Sequence, residues 1–469
     1  MAARKRQNRK ATIALLTSAM IFSLAGCGSG SDTRTLSEDS GEEAAKPLAA
    51  GAGGGDDVLT VWCEASALDA DLNAMCVAKE IYQKDHPDFE LDVVETSWED
   101  IQTKIIIAAA SDDLSMLPDI LLMQDNAFQK NVISFPNVYM DLTDSGIDFS
   151  QFAFSKTAYS VVEGRNYGVP FDNNAVVACY RTDDLAQADM TIEDFTDITF
   201  DQYLQNGKKV LEATGKPLIS VQSGEYDLIM MMLQSAGISL FHEDGTINIV
   251  NNDTLKTAME TYKELKDSGV LIEVDGKDKY LASLASGDVA GTINGCWIMP
   301  FLQKSNDQKA NDLKTADQKA DDQKDKWVLT NMPRLPGDVN AGNYASNGGS
   351  SWAVTKNCKD KAMAVDFLAS TFAGSTKLYD DILPGGTVAA WIPAGESDVY
   401  SKPNAFFGGD AAAAKVVDFS TRAPAYVTGV YFYEGRDAVT EAITNYINGA
   451  DMDVELQTAA DTVYYHMMQ

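Results

Sequence analysis

The chain has 469 residues, with 69 acidic side chains against 37 basic ones and a formal net charge of −32. So acidic a chain is repelled by nucleic acid phosphates and by anionic lipid head groups, which argues against both as partners. Its 45% hydrophobic content suffices for packed cores, and its length suits two or three structural units.

In chain order, Arg4, Lys5, Arg6, Arg9 and Lys10 precede the apolar run "ATIALLTSAMIFSLAG". The run is too short for a comfortable membrane span and has the form of a secretory leader. A short buried helix is the alternative, but no globular core starts with five unpaired cations. "LAGC", Leu24 to Cys27, resembles the bacterial lipoprotein cleavage box, in which residues 1–26 are removed and Cys27 is lipidated. Losing five basic residues and no acids deepens the charge from −32 to −37. Membrane attachment then comes from the lipid. Residues 27–57, ending in "GAGGGDD", read as a flexible tether with a reach of roughly 30 Å.

From Val58 the pattern is that of a folded domain. "VLTVW" is a buried strand, "DADLNAMCVAKEIYQKDHPD" a helix closed by a proline, and "FELDVVETS" a second strand. "SWEDIQTKIIIAAAS" is a helix with Ser97 as N-cap and Asp100 at the capping-box position, and "LPDILLM" is a third strand. Strand–helix–strand–helix–strand implies parallel pairing with helices on both faces, a doubly wound α/β layer. "YGVPF" and "AVVACYR" are strands on either side of Asp172-Asn173-Asn174. Helices then dominate: Phe200–Thr214, Asp227–Ala236, Asn252–Ser268 and Lys279–Ser286. The α/β character returns at "WVLTNMPRLPG" and "GGSSWAVTKN", followed by the helix "CKDKAMAVDFLASTFAG" and a helical end from about Gly435 to His466. The ragged repeat "DQKAND", "DQKADD", "DQKDK" within 303–326 is too short in period for a solenoid and reads as a solvated insertion.

Chemistry is mostly absent. His86, His242 and His466 stand in different segments, with no paired Cys/His spacing, so neither a metal site nor a cofactor is expected. No phosphate-binding GxxxxGK loop and no GxSxG elbow occur. A glycosidase carboxylate pair stays open, because acids abound and nothing singles out two of them. With Cys27 acylated, five cysteines remain (Cys63, Cys76, Cys179, Cys296, Cys358). They read as small buried hydrophobes, a Cys63–Cys76 pair being the alternative.

Aromatic and amide side chains do gather at strand ends and crossings. These are Trp62 and Glu64, Gln124 and Asp125, Asp172 and Asn173, Tyr226, Asn294 and Trp297, Asn347, Gly349 and Ser350, Trp391, and Tyr431 with Phe432. In open α/β folds ligands bind beyond the strand C-termini. Sugar rings offer flat C–H faces to aromatic rings and a hydroxyl rim to amides and carboxylates, so the set suits a carbohydrate. Trp98, Trp327 and Trp352 read instead as core.

"LAGC" with its tether, "YGVPFDNNAVVACYRTDDL", "SGDVAGTINGCW" and "GGSSWAVTKNCKDKAMAVDFL" occur in that order. Together they resemble the extracellular solute-binding proteins of carbohydrate ABC transporters, the group that includes maltose-binding protein. The resemblance implies a two-lobed α/β fold of discontinuous domains: 58–171 with 344–383, and 172–343 with 384–469. Crossings are implied near Asp172–Asn174, Arg334–Asn343 and Pro384–Val388. It also implies a receptor, not an enzyme, that captures an oligosaccharide and delivers it to a permease and, through it, an ATPase. By position, Trp297 is the stacking platform, facing Trp62 across the cleft. Trp62 with Glu64, Gln124 with Asp125, Tyr226 and Phe432 are implied contacts. A surface-anchored glycoside hydrolase or polysaccharide lyase is the alternative. A receptor for peptides or a metal-bound ligand is disfavoured by the aromatic count and the few histidines.

Overall fold

A computed structural model describes residues 58–65, 70–303, 326–338, 340–426 and 428–468. The expected leader, Cys27, the tether and all but the two end residues of the 303–326 insertion lie outside the described residues.

The strands in chain order are β1 (Val58–Glu64), β2 (Glu90–Thr96), β3 (Ile120–Gln124), β4 (Val161–Val162), β5 (Arg165–Asn166), β6 (Val169–Pro170), β7 (Val176–Arg181), β8 (Ile219–Gln222), β9 (Leu271–Val274), β10 (Gly291–Gly295), β11 (Trp327–Thr330) and β12 (Ser350–Val354). Apart from the β4–β5 hairpin they form two five-stranded sheets, ordered β2-β1-β3-β12-β6 and β11-β7-β10-β8-β9.

In the first sheet β1 pairs in parallel with β2 and β3, as the alternation of strand and helix predicts. Helix Ala70–Tyr82 buries Ala74, Met75, Ala78 and Tyr82, and helix Trp98–Ser111 buries Ile101, Ile105 and Ala108. Ser97 caps the second helix by accepting the Asp100 amide at 3.1 Å. β12 departs from the parallel pattern: it runs antiparallel to both β3 and β6. The chain re-enters this sheet at the end where β3 stops, so Ser350 lies beside Gln124 and the strand must run back.

The second sheet has the same polarity toward the first. β8, β9 and β10 are parallel to one another, and Gly295 at the end of β10 lies opposite Val176 at the start of β7. Glu64, Gln124, Gln222 and Gly295 therefore end strands that point toward the junction of the two sheets.

The junction is made of short extended segments. Asn347 N donates to Asn174 O and Val176 N to Ala345 O, both at 2.8 Å, while Asn173 N donates to Val388 O at 2.8 Å. The stretch running beside 173–176 is thus 345–350. Arg334 and Asn343, expected at a crossing, bond into the second-sheet loops: Asn343 Nδ2 reaches Ile198 O at 2.9 Å and Met332 O at 2.8 Å. Trp327 and Trp352 are fully buried in one core cluster that takes side chains from both sheets and from residues 388–419, and Trp98 packs half-buried on another. All five described cysteines are free; Cys63, Cys179, Cys296 and Cys358 are buried, but Cys76 is exposed on its helix.

Candidate functional site

A cavity of about 400 Å³ opens where the strand ends meet. Glu64, Gln124 and Asp125 come from the first sheet, Gln222, Glu225, Asp227, Lys277 and Trp297 from the second, and Asn347 to Ser350 from the junction. A smaller chamber of about 230 Å³ adjoins it, sharing Asn126, Glu225, Asp227, Asn347 and Gly348 and adding Tyr226 and Arg436.

Trp297 follows β10 and stands half-buried on the cavity wall. Its position depends on glycines. A Cβ at Gly295 would lie 2.7 and 2.9 Å from indole Cδ1 and Nε1, and one at Gly348 would lie 3.3 Å from Cδ1. Phe301 meets the indole edge-on at 6.0 Å, and the Lys277 ammonium lies 5.6 Å from its ring centroid. Beside it, Asn347 Nδ2 donates to Asn294 Oδ1 at 2.9 Å and to Asp227 Oδ2 at 3.3 Å, while Asn294 Nδ2 donates to Tyr280 OH at 3.1 Å. Amides therefore tie together the side chains around the indole.

The floor is charged and buried. Lys156, 2% exposed, donates to the fully buried Asp125 carboxylate and to Ser350 O at 2.9 Å, and stands 3.7 Å from Asp172 Oδ1. Asp125 also accepts from Ser351 Oγ at 3.0 Å and Asn174 Nδ2 at 3.3 Å, and Asp172 accepts the Ser350 amide at 2.6 Å. Burial holds the Asp125 carboxyl above the usual carboxylate range, against the downward pull of Lys156. On the wall, burial raises the Glu64 carboxyl, while the hydrogen bond from Gln124 Nε2 at 2.9 Å pulls it back. Burial also raises Glu225, with the Asp227 charge adding to it.

Of the residues named from sequence, Glu64, Gln124, Asp125, Trp297, Asn347, Gly349 and Ser350 meet in the main cavity, with Asn294 directly behind it. Trp62 does not. It is 7% exposed, lies between Val94 and Leu121, and carries Lys104 over its ring at 4.7 Å. A helix covers that face of β1, so it cannot oppose Trp297. Asp172 and Asn173 serve the junction, where Asn173 Nδ2 donates to Ala389 O at 3.1 Å. Tyr226 touches only the smaller chamber; its hydroxyl lies 3.1 Å from Thr444 Oγ1 and its ring meets Tyr262 edge-on. Trp391 stacks on Tyr379 at 6.4 Å, Phe432 is buried with Tyr159 and Tyr426, and Tyr431 packs on the second core. None of these three lines either chamber.

Gln222, Glu225, Asp227 and Lys277 were not singled out by sequence. Gln222 ends β8, Glu225 and Asp227 follow it, and Lys277 follows β9; the four-residue runs "ISVQ" and "LIEV" of these strands sit between amphipathic helices. The rule that ligands gather at strand ends would have found them had those strands been recognised. Among the described residues no group of three or more His, Cys, Asp or Glu could hold a metal. Burial pushes the Cys296 thiol far up, and its Sγ donates to Asn173 O at 3.0 Å, so it packs behind Trp297 as an inert thiol.

The chain matches the family model of bacterial extracellular solute-binding proteins over residues 78–381. A lactose-binding protein of Rhizobium radiobacter is 34% identical over 407 residues, 86% of this chain and 91% of the relative. Two solved structures share the fold. The sugar-binding protein MalE from Xanthomonas citri has a TM-score of 0.70 at 14% identity, covering 88% of this chain and 98% of that one. The galacto-N-biose/lacto-N-biose I-binding protein of an ABC transporter from Bifidobacterium longum has a TM-score of 0.67 at 19% identity, covering 88% and 96%. The two-lobed α/β fold is that of these binding proteins.

Proposed function

The chain belongs to the bacterial extracellular solute-binding protein family, and from that premise we propose that it captures an oligosaccharide for an ABC importer. One observation carries the reading: a half-buried indole and hydrogen-bonding side chains from the strand ends of two sheets converge on a single cavity. The indole suits the C–H face of a sugar ring, an interaction of about 0.5–1.5 kcal/mol on the aromatic-pair scale. Amides and carboxylates suit its hydroxyls. The sugars for which the Rhizobium and Bifidobacterium relatives are named give the first candidates, lactose and lacto-N-biose.

In this reading the rigid bodies are 58–171 with 344–383, and 172–343 with 384–469. The ligand's contacts to both favour closure. A permease recognises the closed form and its ATPase drives uptake, while this chain works as a monomer. It acts at the cell envelope, tethered through lipid on Cys27 to the outer face of the cytoplasmic membrane. The family and its relatives are solute-binding proteins and not enzymes, so the hydrolase or lyase alternative has no support.

Calorimetric titration with lactose and lacto-N-biose, followed by chromatography of the recovered sugar, tests the reading. Stoichiometric binding with intact sugar is expected, and Trp297→Ala should weaken it about two- to tenfold. Multiple turnovers, or no binding to any of a panel of oligosaccharides, would overturn it.

A further inference from the structure

Lys277 sits where its own helix does not favour it. It is the second residue of helix Gly276–Ser286, and a cation in a first helical turn opposes the helix dipole. Among the described residues it has no hydrogen bond or ion pair, and it is exposed at the cavity wall. The other cations nearby are engaged. Lys156 is bonded to Asp125, and Arg436 to Asp437. What surrounds Lys277 is the cavity itself. Its ammonium lies 5.6 Å from the Trp297 ring centroid and 5.8 Å from that of Phe301. Burial raises the Glu64 and Glu225 carboxyls, and the Lys277 charge acts on both in the opposite sense. Those two acids stand on opposite sheets.

A lysine offers three donors and no acceptor, and a carboxylate offers acceptors only. A ring lying on Trp297 would present its hydroxyl rim between the two kinds of group. The cavity also carries Glu64, Glu225 and Asp227, so a ligand carboxylate would meet like charge, with Lys277 the one lining cation not already paired among the described residues.

Resting on the carbohydrate reading above, we propose that Lys277 is a specificity-determining residue of this cleft. It donates to hydroxyls of a neutral sugar ring on Trp297 while Glu64 accepts from the same ring, and the surrounding acids turn anionic sugars away.

Wild type, Lys277→Met, Lys277→Arg, Glu64→Gln and Trp297→Ala are titrated calorimetrically with lactose, lacto-N-biose and digalacturonate, and each melting temperature is recorded. Loss of a hydrogen bond from a charged donor predicts that Lys277→Met weakens the neutral sugar about 10- to 100-fold, with melting unchanged. Lys277→Arg should recover most of the affinity, and Lys277→Met with Glu64→Gln should be non-additive in affinity. Digalacturonate should bind far more weakly than the neutral sugars. If Trp297→Ala weakens binding and Lys277→Met leaves it unchanged, the role of Lys277 fails and the sugar reading stands. Digalacturonate binding as tightly as the neutral sugar overturns the charge selection. If wild type binds neither of these sugars nor any other of a panel of neutral oligosaccharides, the carbohydrate reading fails and this inference fails with it.

Discussion

Gly349 has φ +88°, and a Cβ there would lie 2.7 Å from Asp125 Oδ2 and 2.8 Å from Lys156 Nζ. Both faults act at once, a left-handed backbone and a clash with a buried ion pair that cannot shift into water. Lys156→Met removes the partner instead and leaves Asp125 buried without it. We expect a loss of about 3–5 kcal/mol in urea denaturation, eased when Asp125→Asn is added. An unchanged denaturation midpoint would show that the pair contributes nothing to folding. Glu64 allows a pH test at the same scale. Its carboxyl is raised by burial, so its contribution to stability is full below its unfolded value and lost as pH rises through the raised folded value. Ligand affinity runs the other way, because only the ionised form accepts freely. Titrations at decreasing pH should show sugar affinity starting to fall above the ordinary glutamate range, and Glu64→Gln should flatten that step. Trp62 and Trp297 illustrate what single residues do and do not disclose. Each ends or follows a strand in sequence, but a helix covers one ring and glycines hold the other at the cavity, a difference set by tertiary packing.

Elements converge here because each parallel strand ends at the junction, and that much was readable from β1, β2, β3 and their flanking helices, whereas β10 was not read as a strand. β8 and β9 escaped notice because four residues give too little alternation to outweigh the helical periodicity around them. The start of the helix Phe432–Ile447 makes a second, less readable link. Glu434 accepts from Lys130 at 2.6 Å, the Gly429 amide donates to Gln129 Oε1 at 2.6 Å, and Tyr433 lies near both Lys130 and Arg436. Lys130 belongs to the helix Phe128–Ser134 on the first-sheet core, whereas Phe432–Ile447 packs on the second. Such a half-exposed ion pair adds only about 0.2–1 kcal/mol. Its effect should appear in ligand release, if the pair is made when the lobes approach. Stopped-flow tryptophan fluorescence should find Glu434→Gln releasing sugar about two- to fivefold faster, with the melting temperature nearly constant. A release rate equal to wild type would make the contact a static one.

For the molecule as a whole, the two sheets are distinct but their cores are not separate. Val177, Cys179, Trp327 and Leu329 of the second sheet share a buried cluster with Val61, Leu122 and Trp352 of the first, bridged by Phe406, Phe407 and Val416. Exposing one sheet would strip apolar cover from the other, so lobes that move at their crossings are still expected to melt together. Calorimetry of the chain should give one transition, and two well-separated ones would mean that the shared cluster does not couple the sheets. A saturating sugar must then shift the whole transition, since binding to the native form alone adds about 2.7 kcal/mol at a hundredfold excess over Kd. The net charge of −32 sets the background against which this is measured. Self-repulsion destabilises the compact state and is screened by salt, so the ligand-free transition should rise with ionic strength. The shift caused by a neutral sugar should not, because stacking on Trp297 and hydrogen bonds to an uncharged rim move no net charge. A salt-dependent ligand shift would point instead to a charged ligand, and would reassign Lys277 from reading hydroxyls to pairing with an anion.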